Sequence, residues 1–289
     1  MFVRTKTVSA MFALIGFTGL AGVAQAQGPV FNGVGAGDFI DFTTWNLFGN
    51  ASVQNTTPGN GFTYSILNLT SPGTGGQAGA SFAPNTVMLD FNQAFTITFD
   101  FYITPGGFAG DGMTFVLTAD DPVHASLGDM STGGSNLGYG NSGLTGLAFA
   151  IDTFNFSGEP VAPSIQILEN GDVTPLAFTE TGLDDIRDPS FFQWGVTLEY
   201  SPSGNHDETG TLTGTIDQFV GGLSFSVAAL VNGSGLHNVP VYYGFTAGNG
   251  AASDGHHISS AVPVPEPETW AMLLAGLGLV GWRLRHARV

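Results

Sequence analysis

The chain contains no cysteine, so disulfides and thiolate metal sites are unavailable and the core must hold by packing alone. Basic side chains are almost as scarce. Between Gln27 and Pro265 the single Lys or Arg is Arg187, while the sequence carries 23 acids and a net charge of -17. A body so poor in cations cannot neutralise phosphates, which excludes nucleic acid as a partner and anionic lipid as a docking surface. Its acidity favours solubility after export, and clustered acids can hold divalent cations. No amphipathic helical segment of useful length occurs, no internal repeat is visible, and long apolar runs are confined to the two ends.

What is present is glycine, phenylalanine and alternation. There are 43 Gly and 24 Phe in 289 residues, and the 43% hydrophobic content recurs at alternate positions, which excludes a disordered chain. Residues 1–26 read as a signal peptide. Arg4 and Lys6 form a positive start, Val8 to Val23 an apolar stretch, and Ala24-Gln25-Ala26 a small-x-small cleavage site. The mature protein is expected to begin near Gln27, and residues 27–261 are long enough for one large all-β domain or two small ones.

Strand signals fill that domain. Phe95, Ile97, Phe99, Phe101 and Ile103 face one way and Thr96, Thr98, Asp100 and Tyr102 the other, the pattern of a half-buried strand. Pro105-Gly106-Gly107 ends it, and Met113 to Thr118 reads as the next. Ser164 to Leu168 followed by Asn170-Gly171 predicts a hairpin, because that pair accepts the positive φ values of a type I′ turn. Trp194, Val196, Leu198 and Tyr200 alternate likewise, as do Leu212 to Ile216, Leu223 to Val227 and Val239 to Thr246. His256 and His257, with no nucleophile or third ligand beside them, read as loop residues. Many short strands, Gly-rich loops and no helices predict a β-sandwich.

Beyond it, Val262 to Glu268 is a proline-stiffened linker. Trp270 to Trp282 is uninterrupted apolar and Gly sequence, short for the roughly 20 residues a helix needs to span ~30 Å of hydrocarbon. Arg283, Arg285 and Arg288 close the chain. Pro265-Glu266-Pro267, the apolar run and the basic end together resemble a PEP-CTERM sorting signal. That resemblance implies a Gram-negative, exopolysaccharide-producing host and transient inner-membrane insertion through residues 270–282. It also implies cleavage by an exosortase and a final place on the cell surface or in the extracellular matrix. A plain membrane anchor is the other reading of residues 262–289.

The domain itself resembles the L-type (legume-type) lectins. Asp152, Thr153 and Phe154 match that family's strand, which reads Val-Glu-Phe-Asp-Thr-aromatic-x-Asn, and Thr44 to Ala51, Leu67 to Thr70 and Ala78 to Phe82 resemble its opening. The likeness covers roughly Phe39 to Ser260 and implies a concanavalin-like jelly-roll β-sandwich. It places a sugar on loops at one edge. Asp111, in Gly110-Asp111-Gly112, corresponds to the acid that accepts two sugar hydroxyls. Gly133 and Gly134, with Asn136 after them, correspond to a loop whose backbone amide meets the sugar. Phe154 and Asn155 add a ring face and an amide, and Asp254 stands in the last, variable loop, Gly248 to His256. In the family the peptide before the key acid is cis; the sequence leaves the state of Gly110-Asp111 open.

The metal pattern departs from the family. Its acid two residues before Asp152 is Ala150 here, and its histidine is Ser164, which removes the transition-metal site. Asp152, the carbonyl of Phe154, Asn155 (one place early, with Phe156 at the expected position) and Glu159 remain. That set implies at most one calcium ion, against the six to eight oxygens calcium takes. A carbohydrate or exopolysaccharide partner without catalysis is the leading expectation. Two others stay open: a matrix protein with no sugar ligand, and a glycoside hydrolase on the same jelly roll. The hydrolase needs two carboxylates across a cleft, usually at alternate strand positions, and no such run occurs.

Overall fold

The computed structural model describes residues 40–56, 64–189 and 194–259. The signal peptide, the proline linker, the Trp270 to Trp282 run and the closing arginines lie outside the described residues. Within them no helix is long and apolar enough to cross a membrane.

Strands follow one another in the order β1 (Asn46–Gly49), β2 (Ser52–Thr56), β3 (Tyr64–Asn68), β4 (Gln77–Phe82), β5 (Val87–Met88), β6 (Phe95–Thr104) and β7 (Gly112–Thr118). Next come β8 (Leu147–Asp152), β9 (Ser164–Glu169), β10 (Asp172–Glu180) and β11 (Trp194–Pro202). Last are β12 (Thr209–Gln218), β13 (Ser224–Asn232), β14 (Pro240–Asn249) and β15 (Gly255–Ser259). They form two sheets. One has the order β1-β4-β14-β7-β8-β9-β10, with β5 also on β14; the other runs β13-β12-β11-β6-β15-β3-β2. All these pairings are antiparallel. The result is the expected jelly-roll sandwich.

Alternation places the core between the sheets. Phe95, Ile97, Phe99, Phe101 and Ile103 of β6 all enter it, and so do Trp194, Val196, Leu198 and Tyr200 of β11. Phe99 stacks on Phe115 of β7 at 5.5 Å and meets Phe245 of β14 edge-on at 5.0 Å, so three rings bind the two sheets together. The β9–β10 hairpin turns at Asn170 and Gly171 with φ of 55° and 72°, as the dipeptide predicts.

Two readings of the pattern change. Tyr102 sits on the outward face of β6 yet is buried, stacked on His257 at 4.4 Å. The histidine pair does not lie in a loop: it forms part of β15, because Gly255 to Ser259 pairs with β6. His256 is fully buried with Nδ1 2.7 Å from Thr70 Oγ1, and His257 Nδ1 lies 2.6 Å from Asn68 Oδ1. Burial lowers them to about 3 and about 4, so both are neutral.

A third layer covers the outer face of the eight-stranded sheet. Leu127, Leu137, Tyr139 and Leu144, from the long connection between β7 and β8, pack on Ala80, Phe82, Val116, Ala148, Ala150 and Leu168. Tyr139 closes it by accepting Gly171 N–H at 2.9 Å. This layer carries the Gly133–Gly134 loop to one edge of the sandwich.

Asp100, in the middle of β6, has lost much of its hydration, and burial pushes its carboxyl up to about 7. A carboxyl whose folded value is raised stabilises the fold below its unfolded value of 3.8. That contribution is lost as pH rises through about 7. The urea midpoint is therefore expected to fall between acid and mildly alkaline pH, with Asp100 contributing on the order of 1–3 kcal/mol. Asp100→Asn should flatten that slope; an unchanged slope would contradict the assignment.

Candidate functional site

Asp111 stands immediately before β7, and its backbone is fixed from both sides. Gly110 N–H donates to Asp254 Oδ2 at 2.7 Å, and the Gly110 carbonyl accepts from Thr153 Oγ1. The Asp111 carbonyl accepts Thr153 N–H at 3.0 Å. Gly112 has φ of +144°, and a Cβ there would stand 2.3 Å from the Ile151 carbonyl, so only glycine lets β7 start so close to β8. Gly110–Asp111 is trans: the one cis peptide among the described residues is Ala162–Pro163. Asp111 is 6% exposed, and its Oδ2 accepts the Gly250 N–H. Burial pushes its carboxyl above the usual range, the Gly250 and Asp111 N–H groups pull it back, and the charge of Asp254 raises it further.

The second wall is the Gly133–Gly134 loop, laid flat on the end of β14. Thr246 Oγ1 donates to the Leu137 carbonyl at 2.8 Å, and Gly138 N–H donates to that of Thr132 at 2.7 Å. Gly134 adopts φ of +62°, and a Cβ on it would stand 3.8 Å from Asp111 Oδ1. The third wall begins where β8 ends. Asp152 Oδ1 accepts Phe154 N–H at 3.0 Å, which turns the chain so that Phe154 is half-buried and Phe156 is 59% exposed.

These walls enclose a cavity of about 390 Å³ lined by Asp111, Gly133, Gly134, Ser135, Phe154, Phe156 and residues 250–252. It offers one carboxylate, one hydroxyl, two phenyl rings and a wall of glycine and alanine. A carboxylate accepts charge-assisted hydrogen bonds from hydroxyls. Rings cover apolar C–H faces, and side chains without bulk admit a ligand to the backbone. A second cavity of about 310 Å³, lined by residues 145–147, 169–170, 232 and 234–236, contains no aromatic ring.

The expected contact residues divide. Asp111, Gly133, Gly134 and Phe154 converge on the larger cavity. Asn136, Asn155 and Asp254 do not line it. Asn136 turns back to give Nδ2 to the Ser131 carbonyl at 3.0 Å, and Asn155 Oδ1 accepts Ala162 N–H at 3.0 Å. Asp254 is corrected from a loop contact to a buried anchor. It has no exposed surface, and it takes Gly106 N–H at 3.0 Å, Gly110 N–H at 2.7 Å and Arg187 Nη1 at 3.1 Å. Ser135, Phe156, Gly250, Ala251 and Ala252 are lining residues that sequence reasoning passed over. They stand in or beside the stretches already singled out, but small side chains announce no chemistry.

The residues that a calcium ion would use do not fit one as they stand. Asp152 is 4% exposed, and burial pushes its carboxyl up to about 7. Its Oδ1 takes Phe154 N–H and its Oδ2 takes Gln166 Nε2 at 2.9 Å. Glu159 Oε2 takes Phe156 N–H at 2.9 Å, and Asn155 Oδ1 takes Ala162 N–H. Each of these oxygens faces an N–H of the protein rather than a common centre. Among the described residues no group of three or more His, Asp or Glu is arranged to hold a metal ion.

Comparison with known proteins adds two findings. Residues 263–288 match the PEP-CTERM protein-sorting motif. Several solved structures share the fold. The basic winged bean lectin with Tn-antigen aligns with a TM-score of 0.58 at 21% identity, over 80% of this chain and 97% of its own. The Lotus tetragonolobus seed lectin gives 0.58 at 17% identity, over 77% and 94%. The VIP36 exoplasmic/lumenal domain in its Ca2+/Man-bound form gives 0.51 at 20%, over 77% and 84%. At these identities the likeness establishes the legume-lectin sandwich. No curated protein matches the chain.

Proposed function

We propose that this chain is an exported carbohydrate-binding protein without catalytic activity, and that its saccharide occupies the Asp111 cavity. The observation that carries this reading is the convergence of Asp111, the Gly133–Gly134 loop and two phenylalanines on one 390 Å³ space. Asp111 accepts protons from sugar hydroxyls, the Gly134 backbone offers its amide, and Phe154 and Phe156 cover the apolar ring face. Asn136, Asn155 and Asp254 brace the walls rather than touch the ligand. Solved relatives bound to methyl-alpha-D-galactose and to mannose support a saccharide as the ligand class. A single carboxylate in the lining supports binding without hydrolysis, which takes two.

The sorting motif supports export by way of a signal peptide at 1–26 and a binding domain at 27–261. The 262–289 segment then inserts transiently in the inner membrane until an exosortase removes it. Intact mass of protein from the native cell surface checks this: it should begin near Gln27 and lack Trp270 to Val289, and a retained tail would point to a plain anchor. Released copies would serve an exopolysaccharide matrix. Single-site affinity is expected to be weak, because hydroxyls exchange water contacts for protein contacts at small net gain. Many copies on one polymer compensate by multivalency.

The test is a glycan array, including the host's own exopolysaccharide, probed with the wild type and Asp111→Ala. Retention by the wild type and at least tenfold loss in the variant is the expected result, as for removal of a charged hydrogen bond worth about 1.5–3 kcal/mol. Equal retention would remove Asp111 from the site. Silence from both would leave a matrix protein without a sugar ligand.

A further inference from the structure

The β8–β9 pair carries a polar cluster that sugar binding leaves unexplained. In the register Ala150 faces Gln166 and Asp152 faces Ser164. Alternation turns Phe149, Ile151, Ile165 and Ile167 into the core between the sheets, so these four residues point the other way, toward the third layer. All four are buried: Ala150 and Ser164 fully, Gln166 at 2% exposed and Asp152 at 4%. The methyl group of Ala150 leaves room across the pair for the long Gln166 side chain. Gln166 Nε2 lies 2.9 Å from Asp152 Oδ2 and 3.0 Å from Ser164 Oγ, so one –NH₂ group spends both hydrogens on its neighbours. The other carboxylate oxygen of Asp152 holds Phe154 N–H, and Phe154 lines the cavity.

We infer that the Gln166 carboxamide takes the place of a metal ion at Asp152, so that the loop presenting Phe154 is organised by an uncharged donor and without calcium. A cation at Asp152 Oδ2 would have to displace that amide and strand one of its two buried hydrogens, leaving only the bond to Ser164 Oγ, at a cost comparable to a lost hydrogen bond or more. The rest of the loop is likewise held by bonds within the protein, two inside the loop and one to the end of β10. Phe156 N–H binds Glu159, Ala162 N–H binds Asn155, and Val161 N–H binds Glu180 Oε1 at 3.0 Å. Gln166 is therefore a positioning residue: it touches Asp152, and Asp152 sets the turn. The inference rests on the proposed sugar site only for what Phe154 does there.

Thermal midpoints of the full chain in excess EDTA and in excess calcium test it, with no sugar present. The wild type is expected to melt at the same temperature in both. Gln166→Glu sets a second carboxylate against Asp152; above neutral pH it should melt several degrees lower in EDTA and regain the loss in calcium. Gln166→Ala should lose stability in both solutions alike. A wild-type midpoint that rises with calcium or falls with EDTA overturns the inference, even if neither variant folds. So does a Gln166→Glu chain as stable in EDTA as the wild type, since the amide then anchors nothing. Because these readouts need no ligand, failure of the sugar reading leaves them standing.

Discussion

Arg187→Leu is expected to destabilise the protein by about 3–5 kcal/mol, the usual cost of stripping a buried charge of its partner. Asp254 has no exposed surface, and the Arg187 side chain is 13% exposed at 3.1 Å from it. Arg187 also holds Asp185 Oδ2 at 2.8 Å and the Gly107 carbonyl at 3.1 Å, so one guanidinium ties three segments together. The measurement is the urea midpoint. Adding Asp254→Asn to Arg187→Leu should recover part of the loss, because the stranded charge is then gone. A single-variant loss below about 1 kcal/mol would show that water reaches Asp254 without rearrangement. Glycan retention should fall as well, since Asp254 holds Gly110, the residue before Asp111.

Phe99→Ala should cost about as much, ~3–5 kcal/mol, for a different reason. Phe99 is 2% exposed, and its ring contacts Phe115 and Phe245, which themselves lie 5.4 Å apart. These rings come from opposite sheets, so the sandwich cannot close over the gap without shifting strands already locked in register. A change in urea midpoint worth less than about 1 kcal/mol would contradict that placement.

The parts of the fold that were legible in the sequence are those fixed by local rules. Alternation in β6 and β11 gave strands and their core faces directly, and Asn170-Gly171 gave a turn. Pairing across the chain was not legible. That β14 lies between β4 and β7, or that β15 lies beside β6, depends on contacts between residues far apart in sequence. His256 and His257 were misread for this reason: polar residues after a Gly-rich loop look exposed until β6 and β3 are seen to flank them.

The lining of the candidate cavity was half legible. Asp111, Gly133, Gly134 and Phe154 could be picked out because their residue types and order match a known pattern. Asp254 looked like another ligand contact, since an acid in a glycine-rich loop is ordinarily solvated; its cation arrives from Arg187, 67 residues earlier. Gly250, Ala251 and Ala252 carry no chemical signal, and what brings them in is the bond from Gly250 N–H to Asp111. Gln166 lay in an alternating run where polar means outward. Outward here is under the third layer, which alternation alone cannot reveal.

The most direct test of the account is amide NMR of the wild-type protein during titration with a saccharide selected on the array. The resonances that move should belong to Gly134, Ser135, Phe154, Phe156 and Gly250 to Ala252, around Asp111. Those of Asn170, Asn232 and Ser234, at the ring-free second cavity, should stay in place. Shifts confined to that second cavity, with the Asp111 loops unmoved, would contradict it.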